Sequence, residues 1–208
     1  MNRLSIRLQQ VASQVEPGAS VLDVGCSDGR LLAYLRDAKQ VDGRGIEIDS
    51  RRVAAAVAQG LSVVQGDATR DLAAFPDQSV DYAILSETLQ AMDRPAHVLS
   101  ELVRIGRQAI VAFPNFGYWR VRASLLLKGR MPMTRTLPVS WHETENIHFC
   151  TIDDFRMLAA QMGLRIEREA YLDEERRVRV WPNLRADHAM FLLSDQRPDL
   201  IGAKHHEQ

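Results

Sequence analysis

The sequence predicts a doubly wound α/β fold built around a parallel sheet. Short, nearly continuous apolar runs alternate with segments in which apolar residues recur at helical spacing. Strands covered by helices on both faces have this composition, because neither face meets water. Right-handed crossovers between such strands then produce the doubly wound arrangement.

The predicted strands are short and rich in β-branched or large apolar side chains. In chain order they are residues 20–24, 45–48, 61–64, 80–85, 109–113, 164–172 and 189–193. Helices are predicted around residues 31–35, 53–57 and 96–103. Thr151 and Asp154 have the spacing of a capping box, which begins a further helix that ends at Gly163.

Length and composition indicate a single domain. The chain has 208 residues, of which 46% are hydrophobic and 25% charged, as in ordinary globular proteins. We therefore expect one domain over residues 1–208, with an insertion at 115–150 and a flexible tail at 195–208.

Charge and cysteine content exclude several classes of function. With 26 basic and 27 acidic residues the net charge is −1, which disfavours a dedicated nucleic-acid binder. Apolar stretches fall short of the roughly 20 residues that span a bilayer, so no membrane association is expected. Cys26 and Cys150 form no C-x-x-C pair, which favours a reduced, cytoplasmic compartment and no metal cluster.

The first predicted strand runs directly into a glycine loop. The chain turns through Gly25 and Gly29 and then enters a helix, whose free N–H groups point into the same space. This arrangement is typical of nucleotide sites at the carboxyl end of a strand. Ser27 and Arg30 stand where the dinucleotide template G-x-G-x-x-G requires glycine, which argues against an NAD or nucleotide-sugar enzyme.

Acidic residues follow the next two strands. Glu47 lies about 20 residues after the loop, where a carboxylate can accept hydrogen bonds from both ribose hydroxyls. Asp67 follows the third strand and could accept from an adenine amino group, whereas Asp49 suits the N-cap of the next helix. With Asp23, these acids predict a neutral or cationic nucleoside ligand.

Together these residues resemble the class I S-adenosylmethionine-dependent methyltransferases. The motif D-x-G-x-G-x-G is present as Asp23-Val-Gly25-Cys-Ser27-Asp-Gly29, with serine at the middle glycine. The resemblance implies a Rossmann-like, seven-stranded, mostly parallel sheet with an antiparallel last strand. It also implies S-adenosylmethionine or S-adenosylhomocysteine as cofactor. The predicted cofactor-binding residues are Asp23, Gly25, Cys26, Ser27, Gly29, Glu47, Ile48, Asp67, Ala68 and Ser86.

The methyl-acceptor side carries no clear catalytic motif. Methyl transfer can proceed largely by positioning, and needs a base only when the acceptor must lose a proton. The candidate bases are Glu87, His142 and His148, but Glu87 also suits an exposed first-turn residue. The spacing of His142 and His148 matches no standard zinc signature, so a metal site there is not expected. Cys26 is better interpreted as a small loop residue than as a nucleophile.

Residues 115–150 form the other unusual segment. They are too long for an ordinary connection and are rich in aromatic residues, including Tyr118, Trp119 and Trp141. From Pro114 to Arg135 the segment carries several arginines and no acid. It could be a helix with a solvated basic face and an apolar face on the core. We favour a docking surface, because Trp, Tyr, Met and Arg dominate interface hot spots.

Longer motifs narrow the resemblance from the superfamily to one family. They are Leu85-Ser-Glu-Thr-Leu-Gln-Ala and the stretches 112–122, 129–133 and 145–155. These stretches are similar to the MetW family of methionine biosynthesis proteins. The resemblance implies a bacterial cytoplasmic protein that works with the homoserine O-acyltransferase MetX. We expect a cofactor-binding partner that activates MetX through residues 115–150. The alternative is a genuine small-molecule methyltransferase, and homodimerisation stays open.

Overall fold

The computed structural model of the protein describes residues 4–134, 140–144 and 147–195. The predictions that involve Arg135, Glu145 and the tail beyond residue 195 lie outside the described residues.

The secondary structure alternates between strands and helices through most of the chain. The strands are β1 Ser20–Val24, β2 Asp42–Glu47, β3 Ser62–Gln65, β4 Val80–Ser86, β5 Gly106–Pro114, β6 Leu164–Asp173, β7 Arg176–Arg177 and β8 His188–Asp195. The helices are α1 Ile6–Ala12, α2 Arg30–Lys39, α3 Ser50–Val57, α4 Ala68–Asp71, α5 Pro95–Ile105, α6 Trp119–Lys128, α7 Ile152–Gln161 and α8 Pro182–Arg185. Each predicted strand overlaps one of these strands.

The strands form one sheet in the order β3-β2-β1-β4-β5-β8-β6-β7. Neighbouring strands from β3 to β5 are parallel, and β8 runs antiparallel to both β5 and β6. The predicted α/β fold with an antiparallel last strand is confirmed. Within the described residues the sheet has eight strands rather than the expected seven, because the two-residue strand β7 extends its edge.

Helices cover both faces of the sheet and define two cores. One core packs α5 and α7 against the sheet, with Phe155 of α7 contacting Phe113 and Phe191 at ring-centroid distances of 4.9 and 4.6 Å. The other packs α1, α2 and α3 on the opposite face. Within the described parts of the chain, no helix is long and apolar enough to cross a membrane.

Side-chain caps fix where the helices begin. Thr151 Oγ1 accepts a hydrogen bond from the Asp154 N–H, and the Asp154 carboxylate accepts one from the Thr151 N–H, so the predicted capping box is present. Asp49 caps α3, as predicted, by accepting from the Arg51 N–H at 2.8 Å. These local contacts place the helices that flank the carboxyl edge of the sheet.

Candidate functional site

Two adjoining cavities open at the carboxyl edge of the parallel strands. The strand-tip cleft, about 440 Å³, lies over the ends of β2, β3 and β4 and is lined by Glu47, Ile48, Asp67, Ala68 and Met92 among others. The loop chamber, about 660 Å³, lies between the glycine loop and the start of α1. Both cavities are lined by Gly25, Ser27, Ser86 and Glu87, so they adjoin at these four residues and together make up the candidate site.

The glycine loop needs glycine at both of its turns. Gly25 has φ +72°, and a Cβ there would lie 2.7 Å from Thr88 Oγ1. Gly29 has φ +79°, and a Cβ there would collide with the Leu61 side chain. The Gly25 N–H donates to the Ile46 carbonyl at 2.8 Å, so the loop is held against β2. Gly25, Cys26 and Ser27 of this loop line the loop chamber, and their predicted contact with a cofactor stays a prediction.

Glu47 ties the loop to the second strand. This carboxylate is only 4% exposed. It accepts hydrogen bonds from the N–H groups of Ser27 at 2.8 Å and Asp49 at 3.0 Å. Ser27 has φ +54°, a left-handed conformation that disfavours side chains, and its charge-assisted bond to Glu47 offsets that strain. Each carboxylate oxygen accepts one of these bonds and keeps a second lone pair, and Glu47 lines the strand-tip cleft.

The ends of β1 and β2 bring two carboxylates together in the interior. Burial first, and then the charge of Glu47, raise the pKa of Asp23 to about 7. Asp23 lines the loop chamber. A cation bound there would favour the ionised form of Asp23. The chamber lining is acidic on balance, with six carboxylates (Asp23, Asp28, Glu87, Glu174, Glu175 and Asp187) beside Arg7 and Arg30.

Cys26 is buried in the loop and packs against β2. A Cβ at Gly45 would lie 2.5 Å from Cys26 Sγ, so the thiol fills the space left by that glycine. Burial, with smaller contributions from Asp23 and Glu47, raises the pKa of Cys26 to about 12. The side chain is therefore a neutral thiol at pH 7, which supports its interpretation as a small loop residue.

Asp67 caps helix α4, in addition to its predicted contact with an adenine amino group. Its Oδ1 accepts from the Thr69 N–H at 2.9 Å and caps α4, while its own N–H donates to Asp71 Oδ2. Asp67 and Ala68 both line the strand-tip cleft. Their predicted contact with an adenine ring stays a prediction.

Glu87 is the predicted acceptor-side residue that the structure places in the site. It lines both cavities and adopts φ +64°, with its N–H bonded to the Ala112 carbonyl at 2.8 Å. Nε2 of the fully buried His188 donates to the Glu87 carboxylate. Burial raises the pKa of Glu87, but His188 and Arg7 outweigh it and hold that pKa below its usual range.

The other candidate bases lie elsewhere. His142 packs edge-on against Trp141 at 5.5 Å, and the His148 N–H donates to the Gln90 carbonyl at 3.0 Å. Neither histidine lines the cleft or the chamber. Across residues 4–134, 140–144 and 147–195, no group of three or more His, Cys, Asp or Glu side chains could hold a metal ion.

Two contacts at the site join residues that are far apart in the sequence, so no local motif predicts them. Arg7 on α1 lies 3.5 Å from Asp187, and both residues line the loop chamber. His188 reaches Glu87 across 101 positions of sequence. Neither Arg7 nor His188 is assigned to the site from the sequence. Arg7 lies on a helix of only seven residues, and His188 lies on β8, which inserts between β5 and β6.

The insertion carries a group of exposed apolar side chains, which we call the α6 ridge: Trp119, Leu125, Leu126 and Leu127 on α6, and Met133 beyond its end. Leu126 and Leu127 are 85% and 80% exposed, and the Arg120 guanidinium lies over the Trp119 ring at 5.4 Å. Val121 is the buried residue of this helix. The helix is therefore present, but its leucines face outward, so the interpretation with an apolar face on the core is wrong. Exposed clusters of this kind mark interaction surfaces.

Comparison with known proteins identifies relatives of the whole chain. Residues 6–193 match the family described as Methionine biosynthesis protein MetW. The bifunctional methionine biosynthesis protein MetXA/MetW of Rhodopirellula baltica is 35% identical over 200 residues. That match covers 90% of this chain and 32% of the relative, so the chain spans about a third of that protein's length.

Solved structures show the same architecture at low identity. A chain in the complex between the Haloferax volcanii Trm112 methyltransferase activator and a putative methyltransferase aligns with a TM-score of 0.69 and 19% identity, covering 92% of this chain and 90% of that one. An S-adenosylmethionine dependent methyltransferase from Mesorhizobium loti aligns with a TM-score of 0.68 and 15% identity, covering 91% and 97%. The fold is therefore that of the class I methyltransferases.

Proposed function

The chain belongs to the MetW family of methionine biosynthesis proteins, and from this premise we propose that it is a cytoplasmic partner subunit of homoserine O-acyltransferase. In this proposal it binds S-adenosylmethionine or S-adenosylhomocysteine at the strand tips and activates the acyltransferase MetX through residues 115–150.

The hydrogen-bond acceptors that line the strand-tip cleft suit an adenosyl ligand. Glu47 has lone pairs left for two hydroxyl donors, and the acidic end of β3 offers an acceptor for an amino group. Ile48, which is 66% exposed, supplies an apolar surface in the same cleft for a flat ring. Arg52 is the basic residue in this lining, and the carboxylates of Glu47, Asp67, Glu87 and Asp93 outnumber it, which disfavours a polyphosphate.

The loop chamber suits the charged end of the same ligand. S-Adenosylmethionine would supply a methyl group on a sulfonium centre. Asp23 and Glu87 line this chamber, and the amino-acid end of the ligand carries an ammonium group that they would attract. Ser27 and Ser86 border both cavities, so they would lie beside the join between the nucleoside and the amino acid.

The observation that carries the partner proposal is the fused relative. The Rhodopirellula baltica protein joins MetXA and MetW in one polypeptide, and this chain matches a third of its length. Parts that are fused in one organism commonly associate as separate chains in another, and a separate chain then needs an exposed docking surface. The α6 ridge is such a surface, and no acidic residue lies between Pro114 and Thr134.

A matched pair of surface variants tests this docking surface. Leu126→Asp places a charge at the centre of the ridge, whereas Met157→Asp changes another exposed apolar side chain on α7, outside the ridge. We expect Leu126→Asp to abolish co-purification with the acyltransferase and the gain in acyltransferase rate, with an unchanged melting temperature. Met157→Asp should retain both. Equal behaviour of the two variants would contradict docking through α6.

Glu87 supports a second candidate function, a small-molecule methyltransferase. A non-glycine residue held at positive φ stores strain, and such residues cluster at active sites. Glu87 touches both cavities, so it could orient a methyl acceptor beside the sulfonium. Transfer of labelled methyl groups into a cell extract, lost in Glu87→Ala, would support this function. Absence of labelled product from cofactor-loaded protein would contradict it.

A further inference from the structure

A separate cavity of about 400 Å³ lies between the end of α1 and strand β6. We call it the arginine groove, because Arg168, Arg177 and Arg179 line it together with Gln10 and Gln14. It shares no lining residue with the strand-tip cleft or the loop chamber.

A β-bulge in β6 turns Arg168 toward this groove. Ile166 pairs with Leu193 and Arg168 with Leu192, so Glu167 is an extra residue on β6. Before the bulge Ile166 packs on the α5–α7 side of the sheet, while beyond it Ala170 packs on the α1 side. Arg168 is two residues before Ala170 and shares its face. Bulges commonly redirect side chains in this way next to functional sites.

Among the described residues, no acidic side chain pairs with the arginines of the groove. The guanidinium groups of Arg168, Arg177 and Arg179 form no ion pair with any described residue. Glu169, the acidic side chain in the groove, accepts two hydrogen bonds from Arg156 at 3.1 and 3.0 Å. Three exposed arginine side chains therefore line one concave surface without an ion-pair partner among the described residues.

A buried amide at the base of the groove also lacks partners. Gln10 is only 7% exposed, and neither its Nε2 nor its Oε1 has a hydrogen-bond partner in the described part of the protein. Oε1 of Gln14 is buried and unpartnered as well. Buried polar groups in native proteins are nearly always hydrogen-bonded, so these side chains can donate to and accept from a polar molecule in the groove.

We propose that the arginine groove binds a small polyanion. The guanidinium groups neutralise its charge, and the Gln10 amide donates to one of its oxygens and accepts from a protonated one. The volume suits a metabolite carrying phosphoryl or carboxylate groups.

Helix α1 connects this groove to the proposed cofactor site. Its first turn supplies Ile6 and Arg7 to the loop chamber, and Gln10 from the same seven-residue helix lines the groove. An anion that orders α1 therefore changes the affinity for S-adenosylhomocysteine, and the reverse effect must be equal. This consequence rests on the proposed function, whereas the anion site itself does not.

Thermal unfolding in inorganic phosphate and in citrate tests the groove, with sodium chloride at equal ionic strength as reference. We expect a saturable rise in melting temperature with at least one anion. A response to phosphate alone assigns a phosphoryl ligand, and a response to citrate alone a polycarboxylate. The double variant Arg168→Gln/Arg177→Gln should weaken the response at least tenfold. Arg176→Gln, which changes a neighbouring arginine outside the groove lining, should change it less than twofold.

Two outcomes would overturn the proposal. One is the absence of any saturable shift beyond the chloride reference, and the other is an equal loss of response in Arg176→Gln. S-Adenosylhomocysteine titrated with and without saturating anion then tests the coupling, which should change its affinity at least threefold. Because anion binding is measured without the nucleoside, failure of the cofactor proposal leaves the groove result standing.

Discussion

Replacing Glu47 with glutamine tests the proposed cofactor site, because this side chain both holds the glycine loop and lines the strand-tip cleft. Its carboxylate accepts the N–H groups of Ser27 and Asp49 at 2.8 and 3.0 Å. In Glu47→Gln, the single carbonyl oxygen can serve one of them, while the new NH2 group meets the other donor. One hydrogen bond to a charged acceptor is lost, which contributes about 1.5–3 kcal/mol.

Both stability and ligand affinity should respond to this change. A loss of about 2 kcal/mol in the free energy of unfolding lowers the melting temperature by roughly 4–8 °C in a chain of this size. Relief of the repulsion between Glu47 and Asp23 offsets part of that loss. A loss of similar size in ligand binding lowers the affinity for S-adenosylhomocysteine about 30-fold. Thermal unfolding and calorimetric titration measure the two quantities separately.

Asp49→Asn is the matched control for Glu47→Gln. It also exchanges a carboxylate for an amide, but asparagine caps helices as well as aspartate does, and Asp49 does not line the cleft. We expect affinity within twofold of the original protein. If Glu47→Gln binds S-adenosylhomocysteine as tightly as Asp49→Asn does, the assignment of Glu47 to the ligand is refuted.

Three further variants test other parts of the structure. Ser27→Gly removes the strain of φ +54° and should stabilise the protein by about 1 kcal/mol, seen as a rise of roughly 2–4 °C in melting temperature. A lower melting temperature would show that Ser27 is unstrained. Because the pKa of Asp23 rises from 3.8 to about 7 on folding, the folded state holds its proton longer, and stability should fall as pH rises between these values. Asp23→Asn should flatten that slope in urea unfolding, and an unchanged slope would contradict the shift. Gln10→Leu should stabilise the anion-free protein by about 1 kcal/mol or more while abolishing the anion response, since it removes two unpartnered buried atoms. Destabilisation would indicate a purely structural glutamine.

The parts of the fold that sequence predicts are those specified locally. Apolar runs locate the strands, and the capping residues Asp49 and Thr151 locate the starts of two helices, because the hydrogen bonds involved join residues two or three positions apart. The position of Glu47 at the candidate site is also predictable, because it ends a parallel strand and the carboxyl ends of parallel strands share one edge of the sheet. These features needed no knowledge of tertiary contacts.

The parts that sequence could not predict depend on long-range packing. His188 reaches Glu87 only because β8 enters the sheet beside β5, and the bulge in β6 redirects Arg168 without any glycine or proline to mark it. The outward-facing leucines of α6 look like core residues in the sequence. Their exposure becomes evident only once both cores are filled by other elements.

The rate of homoserine O-acyltransferase from the same organism, measured with increasing amounts of this chain, tests the central claim most directly. The proposed function predicts a rate that rises and saturates at a fixed ratio of the two proteins, with no rise for Leu126→Asp. A rate that stays the same at every ratio, with both proteins folded, would contradict it.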